Sequence, residues 1–355
     1  MFKKIVLAAV GIVILLIIIL ISLKSPVDPV AFDAPKKPAM TGVLAPNNLL
    51  QKAELLTKGK ISGPEEVAVD EKGRIYFGTP AGTVSRLLAD GTIETFATTG
   101  GRPLGMKFNQ KGNLIVADAY KGLLSIDPQG SISILAIFAD GVPFKCTDAL
   151  DIAKDGKIYF SDASDKFHLK DYLLDMIEAR PHGRLLCYDP ATGKATVLLG
   201  GLHFANGVAL SKNEDFVLVN ETCTYSIHRY WLKGPKAGTN DMFIENLPGF
   251  PDNISSNGKG KFWLAIVTVR NSMLDTLQRH PKIKSFIGKL PTPLWSKTER
   301  YGLVITLDEN GKITGTLQDP TGKYLYDVTS AQEHAGYLYL GSVNADRIGK
   351  LKVEE

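Results

Sequence analysis

Val67-Ala68-Val69-Asp70-Glu71-Lys72-Gly73-Arg74-Ile75-Tyr76-Phe77 reads as two short strands folded about a glycine turn, apolar and β-branched before it and aromatic after it. The same unit returns at Met106-Lys107-Phe108 with Gly112-Asn113-Leu114-Ile115-Val116, and at Leu150-Asp151-Ile152 with Gly156-Lys157-Ile158-Tyr159-Phe160. Three further copies follow: Val208-Ala209-Leu210 with Asp215-Phe216-Val217-Leu218, Ile254-Ser255-Ser256 with Gly260-Lys261-Phe262-Trp263-Leu264, and Val328-Thr329-Ser330 with Gly336-Tyr337-Leu338-Tyr339-Leu340. Additional strand signals lie between copies, such as Thr83 to Leu87 and Thr92 to Phe96, so each unit holds about four strands. Six such units predict an all-β, six-bladed propeller. One ring also explains how a chain of 355 residues can form a single large domain. Glu54-Leu55-Leu56-Thr57 precedes the first copy and is expected to pair into the blade begun by Val328, closing the ring and removing a free sheet edge.

Composition narrows the function. Hydrophobic residues at 44% and charged residues at 22% exclude wholesale disorder. A net charge of only +4, with no long basic block, argues against a nucleic-acid partner. Cys146, Cys187 and Cys223 have neither paired spacing nor an even count, so buried free thiols are expected rather than a disulfide scaffold or a cysteine zinc site.

At the N-terminus, Ile5 to Leu23 runs without a charge for 19 residues, long enough to cross a bilayer as a helix. It predicts an uncleaved transmembrane anchor in residues 1–24; a cleaved signal peptide is the rival, disfavoured by the length of the run and the lack of a prompt cleavage site. Lysines flank both ends, so charge alone does not fix the orientation. Residues 25–49 contain Pro26, Pro29, Pro35, Pro38 and Pro46 and read as an extended linker that lifts the propeller, residues 50–355, off the membrane. Two insertions break the repeat. Phe167 to Pro181 and Ser272 to Leu290 are helix-tolerant, the second broken at Pro281, and either caps the ring or packs on a blade edge.

Inner strands of a propeller begin at the central channel, where side chains distant in sequence converge. Just before the glycine turns the chain carries Glu65, Asp148, Asn206, Asp252 and Asn253 at similar offsets. Taken singly, each is an ordinary turn former. As a recurring set of oxygen donors without histidine or cysteine, they are the ligands a hard cation such as Ca2+ selects. Three carboxylates facing a divalent ion leave one excess negative charge, and without the ion they repel one another.

Several longer strings carry a resemblance. Gly101-Arg102-Pro103-Leu104-Gly105, Val116-Ala117-Asp118-Ala119-Tyr120-Lys121-Gly122, Tyr159-Phe160-Ser161-Asp162, Asp171-Tyr172-Leu173-Leu174, Asn206-Gly207-Val208, Leu247-Pro248-Gly249-Phe250-Pro251-Asp252-Asn253-Ile254 and Leu338-Tyr339-Leu340-Gly341-Ser342 resemble the strictosidine synthase-like family, which is related to paraoxonases and gluconolactonases. The match spans nearly all of residues 50–353. It implies a membrane-anchored, calcium-dependent hydrolase of arylesterase or lactonase type, its catalytic domain on the non-cytoplasmic side and its substrate a small-molecule ester or lactone. The paraoxonase-type metal ligands then correspond to Glu65, Asp148, Asn206, Asp252 and Asn253. Asp148 stands where the family usually has Asn, which is expected to tighten calcium and weaken its Lewis acidity. The paraoxonase histidine of the second-blade loop is absent, because that loop is Arg102-Pro103-Leu104-Gly105, and no general base transfers. The sixth inner strand lacks the strictosidine synthase glutamate and reads Asp327-Val328-Thr329-Ser330 before Glu333-His334, which counts against a C–N bond-forming enzyme.

Asn206 and Asn253 are candidate oxyanion contacts. His168 and His203 are the only histidines placed to reach the channel mouth, and ordinary packing is the better account of each. Met273 and Trp295 are expected to line an apolar pocket or pack. Asn220-Glu221-Thr222 and Asn253-Ile254-Ser255 match the glycosylation acceptor pattern. The alternative to a hydrolase is a ligand- or protein-binding propeller in which calcium is structural.

Overall fold

The computed structural model describes residues 22–295 and 299–353, together with Phe2, Lys3, Gly11 and Leu20. It is a six-bladed β-propeller. Each blade is a four-stranded antiparallel sheet, and the six inner strands are Val67–Val69, Pro103–Phe108, Thr147–Ile152, Ala205–Leu210, Gly249–Ser256 and Val328–His334. Each inner strand touches the next and the sixth touches the first, so they form a closed ring. The sequence repeat therefore maps one copy to one blade, with the glycine turns joining first and second strands at the end of the ring away from the strand starts.

Closure follows the expected route. Glu54–Leu56 is the outer strand of blade 6 and pairs antiparallel with Ile348–Lys352, Glu54 opposite Lys350 and Leu56 opposite Ile348. The core is divided among the blade interfaces, as between blades 4 and 5, where Phe216, Leu218 and Ile227 pack on Phe262, Leu264 and Ile305. All three cysteines are buried free thiols.

The insertions are helical. The first holds α1 (Tyr172–Glu178); the second holds α2 (Ser272–Gln278) and α3 (Pro281–Ile287), divided at Pro281. Asn271 caps α2 by accepting from the Met273 N–H at 2.8 Å, and Pro281 opens α3, where its missing N–H costs nothing. Both insertions leave the ring at the end where the inner strands begin. Met176 and Leu169 pack with Leu104, Cys146 and Phe204, which lie beside the starts of three inner strands, so α1 covers the channel mouth. Trp295 packs with Val27, Phe167 and Ile177, whereas Met273 is 57% exposed.

Among the described residues no helix is long and apolar enough to cross a membrane. The predicted span falls outside the described residues except for Gly11, Leu20, Ser22 and Leu23. The proline-rich segment after it is extended in backbone, yet it does not stand away from the domain. Val30 N–H bonds Glu178 O of α1 at 3.0 Å, Phe32 N–H bonds Gln278 O of α2 at 2.9 Å, and Gln318 of blade 5 donates to Leu44 O and Ala45 O at 3.2 Å. Two buried cations complete the attachment: Lys284 Nζ donates to Val30 O at 2.7 Å and Arg270 Nη2 to Pro35 O at 2.5 Å. Prolines suit this strap because their absent N–H groups need no partner. What composition shows as a tether is thus a strap that ties both cap insertions to blade 5 and then enters the ring as its closing strand.

Candidate functional site

The backbone, not the turn chemistry, aims the candidate residues. Inner strands of blades 2 to 6 each shift register near their start: between Pro103 and Met106, Thr147 and Leu150, Ala205 and Val208, Pro251 and Ile254, and Val328 and Ser330. Such bulges bend a strand and re-aim a side chain. Asp148, Asn206, Asp252 and Asn253 occupy them, so these residues sit within strands rather than in turns before them. Glu65 immediately precedes the inner strand of blade 1.

All five are buried, with at most 7% of their surface exposed. The Asn206 side chain, across the blade 4–5 boundary, and the Asn253 backbone N–H lie beside the Asp252 carboxylate and favour its ionised form. Glu65 and Asp148 lie within electrostatic range of each other and of Asp252. Burial pushes the Glu65 carboxyl up to about 7, opposed by the nearby Arg102 guanidinium. Burial, reinforced by the neighbouring Glu65 charge, also raises Asp148 and Asp252 well above the ordinary carboxylate range. Asp252 adds its own repulsion at Asp148.

The decisive feature is what these side chains leave unpaired. Glu65 Oε2, Asp148 Oδ1, Asn206 Oδ1, Asp252 Oδ1 and Asn253 Oδ1 and Nδ2 are all buried without a hydrogen-bond partner. Buried polar atoms are normally satisfied, and one orphan oxygen from each of five converging side chains is the arrangement a cation would complete. Among the described residues no group of three or more His, Cys, Asp or Glu gathers closely enough to hold a metal. The set therefore depends on its two amide oxygens as well as its carboxylates.

Three glycines let this ring close. A Cβ on Gly341 would lie 2.3 Å from Glu65 O, one on Gly105 2.6 Å from Asp148 O, and one on Gly207 2.5 Å from Asp252 O. Each glycine belongs to one blade and abuts the backbone of a candidate ligand in the next. Gly207→Ala should move Asp252 and cost about 1–3 kcal/mol of stability, with calcium affinity lost beyond that of a distant destabilising variant; calorimetric titration beside thermal melts would read both.

Arg102, 6% exposed, was not legible as a site residue. Its Nη2 donates to Gly63 O at 3.0 Å and its Nη1 has no partner, while its charge faces Glu65, Asp118 and Asp148. With a divalent ion bound, this guanidinium offsets the excess negative charge that the carboxylates alone would leave. Glu66, also buried, lies beside the site, accepts from Gln332 Nε2 at 2.7 Å and is pushed up to about 8 by burial. The histidines are engaged elsewhere: His203 Nδ1 meets Glu221 Oε1 at 3.2 Å, and His168 Nδ1 meets Lys145 O at 3.2 Å. Burial would raise Glu221, but hydrogen bonds from His203 and His228 outweigh it and hold that carboxylate well below its ordinary range. Glu333 accepts from Trp263 Nε1 at 2.8 Å.

Neither glycosylation pattern is accessible. Asn220 is fully buried and donates to Asp252 O, and Asn253 is 3% exposed. At the mouth, Phe204 holds a left-handed backbone (φ 61°), a strained conformation for a bulky residue, fixed by Thr222 N–H donating to its carbonyl at 3.2 Å. Its ring lies 6.5 Å from that of Tyr172 of α1. Burial raises the Tyr172 hydroxyl, and the charges of Asp327 and Asp252 lie within its electrostatic range.

A six-bladed ring with acidic and amide oxygens turned into a capped channel defines a class that comparison makes specific: the chain belongs to the strictosidine synthase-like family. Residues 148–235 match the strictosidine synthase family model, and residues 42–87 match the model for the N-terminal part of strictosidine synthase-like proteins. The chain is 41% identical to adipocyte plasma membrane-associated protein of Mus musculus, over 94% of this chain and 85% of that protein. It is 34% identical to strictosidine synthase-like 3 of Arabidopsis thaliana, over 83% of this chain and 84% of that one. Among solved structures, a gluconolactonase of Xanthomonas campestris superposes with a TM-score of 0.62 at 17% identity, covering 94% of this chain and 99% of that one. Regucalcin of Agrobacterium tumefaciens, described as a calcium-binding protein, gives 0.58 at 14% identity, covering 87% and 94%. These structural likenesses establish the fold.

Proposed function

We propose that the protein is a membrane-anchored, calcium-dependent hydrolase of small ester or lactone substrates. The observation that carries this reading is the ring of buried, unpartnered oxygens from Glu65, Asp148, Asn206, Asp252 and Asn253. These five would hold the ion, which when bound supplies Lewis-acid polarisation of a substrate carbonyl. The Asn253 amide, its Nδ2 unpartnered, would donate to the carbonyl oxygen as it gains charge. Helix α1 and the apolar group of Leu104, Cys146 and Phe204 exclude bulk water, which strengthens each of these polar contacts. Arg102 moderates the charge of the ring. The names of the gluconolactonase and the calcium-binding regucalcin agree with this chemistry, and the plasma-membrane name of the murine relative agrees with membrane attachment, which we assign to an anchor at Ile5 to Leu23 with the propeller on the non-cytoplasmic side.

The test is a hydrolysis screen of the full chain in membranes over aryl esters and lactones of graded size, with calcium and with chelator. Turnover of at least one class that disappears with chelator and returns with calcium is expected. Calcium binding without turnover of any substrate would instead favour the binding-platform reading, which rests on the absence of an imidazole bonded to the five residues.

A further inference from the structure

The cap insertion leaves an apolar outer surface that no part of the described chain covers. Met273 of α2 is 57% exposed, Ile283 and Phe286 of α3 are 50% and 37% exposed, and Leu294 just beyond is 70% exposed. Ile283 and Phe286 are three residues apart and share a flank. The other flank of α3 is spent on the strap: Lys284 is fully buried beneath Val30 O, and Gly288 lies so close to Val27 and Ile177 that an added Cβ would meet Val27 at 2.9 Å. Of the basic residues on these helices, Lys282 is exposed beside this surface, whereas Lys284 is buried and Arg279 pairs with Asp33 at 2.8 Å.

The start of the strap indicates the occupant. Ser25 Oγ donates to Ser285 O of α3 at 3.1 Å, and Val27 is buried against Phe167 and Ile177. The apolar run ends at Leu23, and two residues reach no further than about 7 Å even when fully extended. A bilayer that holds Ile5 to Leu23 therefore lies beside α3. We propose that the face formed by Met273, Ile283, Phe286 and Leu294 rests on that bilayer, with Lys282 at its headgroups, so that the channel mouth opens toward the lipid surface. This inference rests on the membrane-anchor reading above. It differs from a flexible tether, for which the domain could turn any face to the membrane. A protein partner has no such constraint bringing it to α3, whereas the lipid is delivered there by the chain itself.

Site-directed nitroxides on the full chain in phosphatidylcholine–phosphatidylserine vesicles test it. Labels would be placed by Ile283→Cys, Phe286→Cys and Leu294→Cys, with Lys111→Cys at the opposite end of the ring and Leu20→Cys in the anchor. All three native cysteines are buried, and melting temperatures would confirm folding of each variant. The expected result is an oxygen-to-nickel-chelate collision ratio several-fold higher at 283, 286 and 294 than at 111. If those three match position 111 while the label at 20 is lipid-buried, the anchor stands and the inference falls. Should the label at 20 be water-exposed, both fall. Protection of the face from both collision partners, as beneath a protein, would overturn the inference as well.

Discussion

Asp252→Ala and Asn206→Ala should each lower hydrolysis by about 100-fold or more, while leaving a ring that calcium can still fold. The two residues come from neighbouring blades and meet at the channel. Asn206 Oδ1 and Asp252 Oδ1 are each buried with no hydrogen-bond partner. Removing either takes away one of several donors, so affinity for the ion should fall without abolishing it, and excess calcium should restore the melting temperature by mass action. Activity should not return with it, because the remaining donors no longer fix the ion and substrate in the same place. The measurement is turnover and melting temperature side by side across a calcium titration. A variant that folds at high calcium and hydrolyses at the parental rate would remove the five-residue ring from the chemistry. Asp148→Asn is a milder companion: one less negative charge should weaken calcium binding and raise turnover once calcium is saturating.

Chelation should destabilise the protein most at neutral and alkaline pH, and this effect has a definite sign. In the ion-free fold, burial raises Glu65 to about 7 from an ordinary 4.5, and Asp148 and Asp252 shift the same way. The folded chain then holds protons that the unfolded chain has released, so ion-free stability falls as pH rises from about 4.5 to 7. A bound cation holds the carboxylates ionised and reverses that slope. Calcium at a hundred times its dissociation constant should add about 3 kcal/mol, nearly all of it lost under mildly acid conditions where protons compete for the oxygens. Thermal melts from pH 5 to 8, with calcium and with chelator, should therefore diverge upward in pH. Superimposed curves would mean that no such ion is bound.

The repeat was legible because a turn carrying Gly or Asn between two short apolar strands recurs in every blade, and the closing strand was legible because a ring must cover its last edge. The five candidate ligands were also visible, as polar residues recurring where a strand starts. What aims them was not. A bulge adds one residue to a register and leaves no compositional trace, so Asp148, Asn206 and Asp252 read as turn formers although they lie in strands. Arg102 faces Glu65 only because blades 1 and 2 are neighbours around the ring, a proximity that no local pattern encodes. The strap was hidden for a similar reason. Its contacts to Glu178, Gln278 and Arg270 are made largely through backbone carbonyls and N–H groups, which every residue type carries.

Because Glu54–Leu56 pairs only with Ile348–Lys352, the ring joins the first strand synthesised to the last. Synthesis must pass Lys352 before that sheet can form, so the nascent chain waits with Glu54–Leu56 unpaired while five blades assemble behind it. If Ile5 to Leu23 inserts in a membrane as proposed, one side of the junction would be fixed far sooner. Loss of residues 348–352 would therefore cost more than one late strand, since it would also strand the beginning of the ring.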